Sequence, residues 1–310
     1  MEEILVSQLN DVQPDEIHKV GLTLAWTAMV FASSIAVILW VEFASVMPEW
    51  WPLIHGTVLL SLLLVAVAYK PTRSMWRFFS IIVTIFFLGF GGGWRFGLIP
   101  WITQSVEWIT WVGTLPVPFD SLALHLLRLT PAFAILFFLV VTGRKREDFY
   151  LIKGQIDANV EPSRLIGVKE PEPWTKTGKI FAIVFVVFTV VFLVMANQPT
   201  VEQLVGGLVL LPVAALIAIM NAFNEEFTLR AAPLSELEPG VGKAQALMIT
   251  SVYFGLGHFY GIPNGIIGVG LSAFLGYFLG KSMLETKGFF WAWIIHFLPD
   301  LFIFYFLLVL

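Results

Sequence analysis

Between positions 221 and 300 an otherwise apolar stretch carries ionisable side chains at helical spacing. The segment Asn221-Ala-Phe-Asn-Glu-Glu-Phe-Thr-Leu-Arg230 puts two adjacent carboxylates and an arginine at the end of an apolar run. Phe254-Gly-Leu-Gly-His258 adds an imidazole, and His296-Phe-Leu-Pro-Asp300 sets a second imidazole four residues before a carboxylate. Carboxylates and imidazoles are the side chains that most often move protons in catalysis, so the composition is that of a general acid–base site.

Spacing divides the labour among them. With 3.6 residues per turn, Glu225 and Glu226 cannot point the same way, whereas Glu226 and Arg230 at i,i+4 meet in the favourable Glu-before-Arg order. Glu226 is therefore the salt-bridge partner. Glu225 shares its face with Asn221 and Thr228, which is polar without being cationic, and a poorly solvated carboxylate with no cation beside it is suited to accept a proton as a general base. Glycines 255 and 257 let a backbone or a substrate approach His258. His296 and Asp300 share a helix face, with Pro299 loosening the helix beside them. Taken singly, Glu226–Arg230 reads as a structural ion pair, His258 as a packing histidine and His296–Asp300 as a tie between helices. Together they read as one pocket, because each charged group inside a membrane helix costs at least about 2.5–3.5 kcal/mol on insertion scales.

The elements that must position this set are membrane spans. Of the 310 residues 58% are hydrophobic and 13% charged, against roughly 25% charged in a soluble domain, and the mean hydropathy is +0.84. Mainly apolar runs near the length needed to cross a bilayer as helix, about 20 residues, stand at 21–43, 51–69, 78–99, 121–143, 180–197, 203–231, 244–261, 265–283 and 288–310. The fold expected is an all-α, polytopic transmembrane helical bundle of eight or nine spans. The first run is too long, and too poor in basic and small flanking residues, to be a secretory signal. With no cysteine there is neither a disulfide framework nor a thiol site. Lys and Arg gather in the loops after the second, fourth, sixth and eighth runs, which places the N-terminus in the cytoplasm and, with nine spans, the C-terminus outside.

Residues 1–19 form a polar, acidic arm, and 100–120, rich in Trp and Pro, fit an interfacial or re-entrant piece. The polar stretch 144–179 reads as a cytoplasmic loop dividing an N-terminal four-helix region, 1–143, from a C-terminal region, 180–310, that holds the ionisable set. His55, His125 and Arg128 are isolated polar groups of the first region. No internal repeat is visible, which weighs against the inverted-repeat logic of many transporters. Counted at 1.5 Å per residue, Glu225 lies roughly 9 Å and His296 roughly 12 Å from the cytoplasmic ends of their helices, so the pocket opens to the cytoplasm. His258 comes out nearer 20 Å, which requires a protruding helix or a tilted pocket.

The pattern Glu225-Glu226-x-x-x-Arg230, Phe254-x-x-x-His258, His296-x-x-x-Asp300 resembles the three-motif signature of the type II CAAX prenyl endopeptidases, a family that includes the CPBP or abortive-infection proteases, over about residues 178–304. The resemblance implies an intramembrane endopeptidase. In it the glutamate matching Glu225, helped by the histidine matching His258, activates a water for attack on a peptide carbonyl. The residues matching His296 and Asp300 stabilise the oxyanion, with Glu226, Arg230 and Phe254 in support. It further implies a membrane-anchored peptide or protein substrate, lipidated in the CAAX manner or, in a prokaryotic plasma membrane, unprenylated. A lipid needs a groove between helices, which the glycine-rich run from Gly255 to Gly280 is expected to provide. The lipid bilayer is the other partner, and no nucleic acid is implied.

Asp300 departs from the asparagine usual in the family. A carboxylate donates a hydrogen bond only when protonated, and its charge opposes a forming oxyanion. Asp300 is thus protonated, holds His296 in its tautomer, or binds a metal. Glu225, His258, His296 and Asp300 are an acceptable ligand set for Zn²⁺ with one position open for water, although the HExxH motif is absent. Metal-free glutamate catalysis, which requires no cofactor, is the preferred reading. Two rivals keep the same residues: a proton- or cation-coupled transporter, since such side chains also mark ion paths, and a catalytically idle membrane scaffold.

Overall fold

The computed structural model of the protein describes residues 14–89, 95–261 and 263–310. Most of the acidic arm and the middle of the run 78–99 lie outside them. The longer helices are α1 Pro14–Ala32, α2 Trp51–Ala68, α3 Trp76–Leu88, α4 Phe119–Arg128, α5 Thr130–Val141, α6 Trp174–Asn197, α7 Leu211–Glu225, α8 Ala232–Leu256, α9 Gly265–Thr286 and α10 Phe290–Val309. A single small hairpin pairs β1, Asn159–Val160, antiparallel to β2, Glu172–Pro173.

The chain is an all-α bundle in which, among the described residues, six helices are long and apolar enough to cross a membrane, or seven if one bent pair counts as a span. The bend, 51° between His18–Ala32 and Ile35–Ala44, falls at Ser33–Ser34. There the Ser33 hydroxyl donates to the Val30 carbonyl and accepts from the Ile35 N–H, 3.1 and 3.3 Å, a competition with the helical ladder that bends helices.

Two features keep some of the nine apolar runs from appearing as separate long helices. Helix α3 has only 13 residues and is closed by Gly89 in the left-handed conformation, which makes it about 20 Å long. Helix resumes at Leu98–Thr103. The runs 203–231 and 244–261 lie in one continuous stretch, Val201–Leu256, of 56 residues. Straight, it would measure about 84 Å against a bilayer core of about 30 Å. It is not straight: Gly242 sits at φ 77°, ψ 160°, a region open essentially to glycine alone. The chain doubles back there, and Nε2 of His258 comes within 4.0 Å of Oε2 of Glu225, although the same 33 residues of straight helix would hold them about 50 Å apart.

Helix α8 packs along α9, α7 and α6 both pack on α10, and α8 also packs on α1 and α3, tying the two regions together. Small residues let helices approach closely in lipid. A Cβ on Gly255 would stand 2.7 Å from the Val269 carbonyl oxygen, and one on Gly280 would stand 2.5 Å from Leu247. At these two points the glycines hold α8 and α9 close together.

The stretch 144–173 is docked against the ends of α8, α9 and α10. Arg144 pairs with Glu236 at 2.6 Å, the Gln155 N–H donates to the Thr286 carbonyl at 2.7 Å, and the Phe289 N–H donates to that of Ile152 at 2.7 Å. Phe149, Val160 and Trp174 are fully buried. Tyr150 donates to Glu238 at 2.7 Å; burial first, then that bond, pushes its phenol above the ordinary range, so it remains a donor.

Candidate functional site

Helix α7 ends in Glu225, and the next six residues, Glu226–Ala231, form a π-helix, a local widening often found at functional sites. Glu226 and Arg230 form an ion pair inside it, both side chains wholly buried. The i,i+4 pairing expected from the sequence is present, in a wider helix than expected.

Glu226 does more than pair. Its Oε1 lies 2.7 Å from Nδ1 of His296. A carboxylate held by Arg230 accepts, so Nδ1 of His296 donates, and Nε2 is left to face Oε2 of Glu225 and Oδ2 of Asp300, each at 3.6 Å. Holding the imidazole by its Nδ1 edge, a task open to Asp300 in the sequence, belongs to Glu226.

His258 follows the end of α8 and is held by its Nδ1, 2.9 Å from the Phe254 carbonyl oxygen. A carbonyl only accepts, so Nδ1 carries hydrogen and Nε2 points toward Oε2 of Glu225, 4.0 Å away. That gap is too long for a direct hydrogen bond and of the size that a bridging water spans. Phe254 packs the assembly: the Arg230 guanidinium lies 4.5 Å over its ring, the His258 ring 4.5 Å from it, and His296 meets it edge-on at 6.0 Å.

Asn221 joins the two remaining carboxylates. Its Nδ2 donates to Oε1 of Glu225 at 3.2 Å and to Oδ2 of Asp300 at 3.0 Å. Sequence spacing put Asn221 on the face of Glu225 without anticipating this bridge, because helical periodicity says nothing of a partner 79 residues away. Thr228, expected on the same face, turns instead to Asn224 at 3.2 Å.

Glu225, His258, His296 and Asp300 are thus brought together from α7, the end of α8 and α10, with Glu226, Arg230 and Phe254 behind them. The polar groups of the N-terminal region divide. His125 and Arg128, on α4, are near enough to Glu225 to interact with it electrostatically. His55 is bonded to the Phe31 carbonyl at 2.7 Å and packed among Trp51 and Phe86.

The zinc set does not fit as placed: among the described residues no group of three or more His, Asp or Glu is arranged to hold a metal ion.

Fold and site together define a multi-span membrane protein with a buried Glu/His cluster. A family model described as Type II CAAX prenyl endopeptidase Rce1-like matches residues 207–302, so a domain of this family, related to the CPBP proteins, occupies that part of the chain. All seven motif residues fall inside it. No curated protein and no solved structure matches the chain.

Proposed function

We propose that the protein is an intramembrane endopeptidase that hydrolyses a peptide bond of a membrane-anchored substrate with a water activated by Glu225 and His258. The observation that carries this reading is that Oε2 of Glu225 faces the Nε2 atoms of two histidines from different helices, at 4.0 and 3.6 Å. A water held between Glu225 and His258 loses its proton to Glu225 as its oxygen attacks the scissile carbonyl. The proton then passes to the leaving amine, through Glu225 or His258. The oxyanion is met by Nε2–H of His296. The Asn221 amide, donating to Glu225 and to Asp300, holds the two carboxylates in place around that edge of the imidazole.

An apolar cavity of about 330 Å³ between α6 and α10 supports a substrate bearing a lipid or an apolar segment. Two of its lining residues, Ile303 and Leu307, continue at i+3 and i+7 from Asp300 the face of α10 that carries His296. With the basic stretches 70–77 and 144–179 cytoplasmic, the N-terminus lies in the cytoplasm and cleavage occurs from that side.

The test is hydrolysis, by purified protein in liposomes, of a panel of lipidated and unlipidated membrane-anchored peptides, followed by mass spectrometry, with ion flux recorded in parallel. Cleavage at one defined bond is expected. Ion flux without cleavage would overturn the reading in favour of a transporter, and neither would favour a scaffold.

A further inference from the structure

A second pocket, of about 550 Å³, opens beneath the hairpin. Three parts of the chain enclose it: residues 159–163 of the hairpin, residues 243–248 where α8 returns from the break at Gly242, and residues 277–287 at the end of α9. Three lysines line it, Lys243, Lys281 and Lys287, with Glu161 and Glu285 as the acidic members. Glu285 is engaged threefold: by Lys281 in an ion pair, by Nε1 of Trp174 at 2.9 Å and by the Glu161 N–H at 3.2 Å. It has little left with which to neutralise the other ammonium groups. Lys287, more than half exposed, lies 4.0 Å from Glu238 and 5.6 Å over the Tyr150 ring, and Lys243 makes no ion pair among the described residues. The Ser163 and Tyr277 hydroxyls, 3.3 Å apart in the same wall, add neutral donors.

The other wall is apolar. Ala244, Leu247, Met248 and Leu284 line it, and Met248 is 48% exposed on the outside of the bundle. A cationic upper rim over an apolar wall that runs outward into the membrane fits one kind of molecule, an anion carrying hydrocarbon chains.

We propose that this pocket binds the phosphate headgroup of an anionic phospholipid of the surrounding leaflet, with Lys243 and Lys287 as its charge contacts and an acyl chain along Leu247 and Met248. The bound lipid pins the hairpin to the returning half of α8 and the end of α9. The site is separate from the Glu225 cluster and does not depend on the activity assigned to it.

Native mass spectrometry and thermal melting of the detergent-purified full chain test this, with phosphatidylglycerol, phosphatidylcholine and inorganic phosphate added in turn. Phosphatidylglycerol is expected to remain bound and raise the melting temperature, whereas phosphatidylcholine and inorganic phosphate at the same concentration do neither. Lys243→Gln and Lys287→Gln are expected each to weaken phosphatidylglycerol binding about fivefold, with the lipid-free melting temperature unchanged. An equal response to phosphatidylcholine, an equal response to inorganic phosphate alone, or wild-type affinity in the double variant would each overturn the proposal.

Discussion

Nδ1 of His296 lies 2.7 Å from Oε1 of Glu226, 70 residues earlier in the chain. The same oxygen pairs with Arg230, so one buried carboxylate ties α10 to the π-helix and fixes which edge of the imidazole faces Glu225.

Removing that charge strands Arg230 in the interior. Glu226→Gln is expected to destabilise the protein by about 3–5 kcal/mol, the usual cost of breaking a buried pair from one side, and to lower turnover because His296 is no longer held. Thermal melting with and without Arg230→Met checks it: the double variant should recover stability but not turnover. Wild-type melting of Glu226→Gln would count against the arrangement.

Asn221 offers a second probe. Asn221→Ala removes the amide shared by Glu225 and Asp300 and is expected to lower kcat about 10²-fold, the cost of misplacing a catalytic group by about 1 Å, with the melting temperature little changed. Exchanging the groups, Asn221→Asp with Asp300→Asn, should recover part of the loss seen in Asn221→Asp alone. No recovery in steady-state kinetics would show that the amide does not act through this contact.

At Gly242 nothing stands within 4 Å of an added Cβ, so Gly242→Ala isolates the backbone term. A residue forced into that conformation costs about 1–3 kcal/mol, read as a lower unfolding midpoint. An unchanged midpoint would mean that the turn is not held as described.

Gly255→Ala drives a methyl into the Val269 carbonyl and Ala273 across the α8–α9 interface. An overpacking cost of about 1–3 kcal/mol is expected, together with reduced turnover, because Phe254 and His258 ride on the same turn. Peptide hydrolysis and melting measured on one preparation check both.

The spans and the ionisable set were legible because lipid leaves little choice: apolar runs of bilayer length are helices, and charges within them stand out. The i,i+4 pairs Glu226–Arg230 and His296–Asp300 followed from periodicity. What periodicity cannot supply is contact between helices, such as the Glu226–His296 bond and the Asn221 bridge to Asp300. Among the described residues six or seven helices pass as spans by length and composition, fewer than the apolar runs, because hydropathy does not see Gly89 ending α3, nor that two apolar runs are joined in one helical stretch turned at Gly242. The puzzle of His258 lying too deep is resolved by the same turn, which brings the end of α8 back to Glu225. At Gly255 and Gly280 the missing side chains serve close packing of α8 on α9, which hydropathy and spacing do not reveal.

The central claim is that Glu225 is the base. Hydrolysis of a membrane-anchored peptide by wild type and Glu225→Gln, at matched melting temperatures, tests it most directly. The account predicts defined cleavage by wild type and a loss of at least about 10²–10⁴-fold in the variant; equal rates for the two proteins would contradict it.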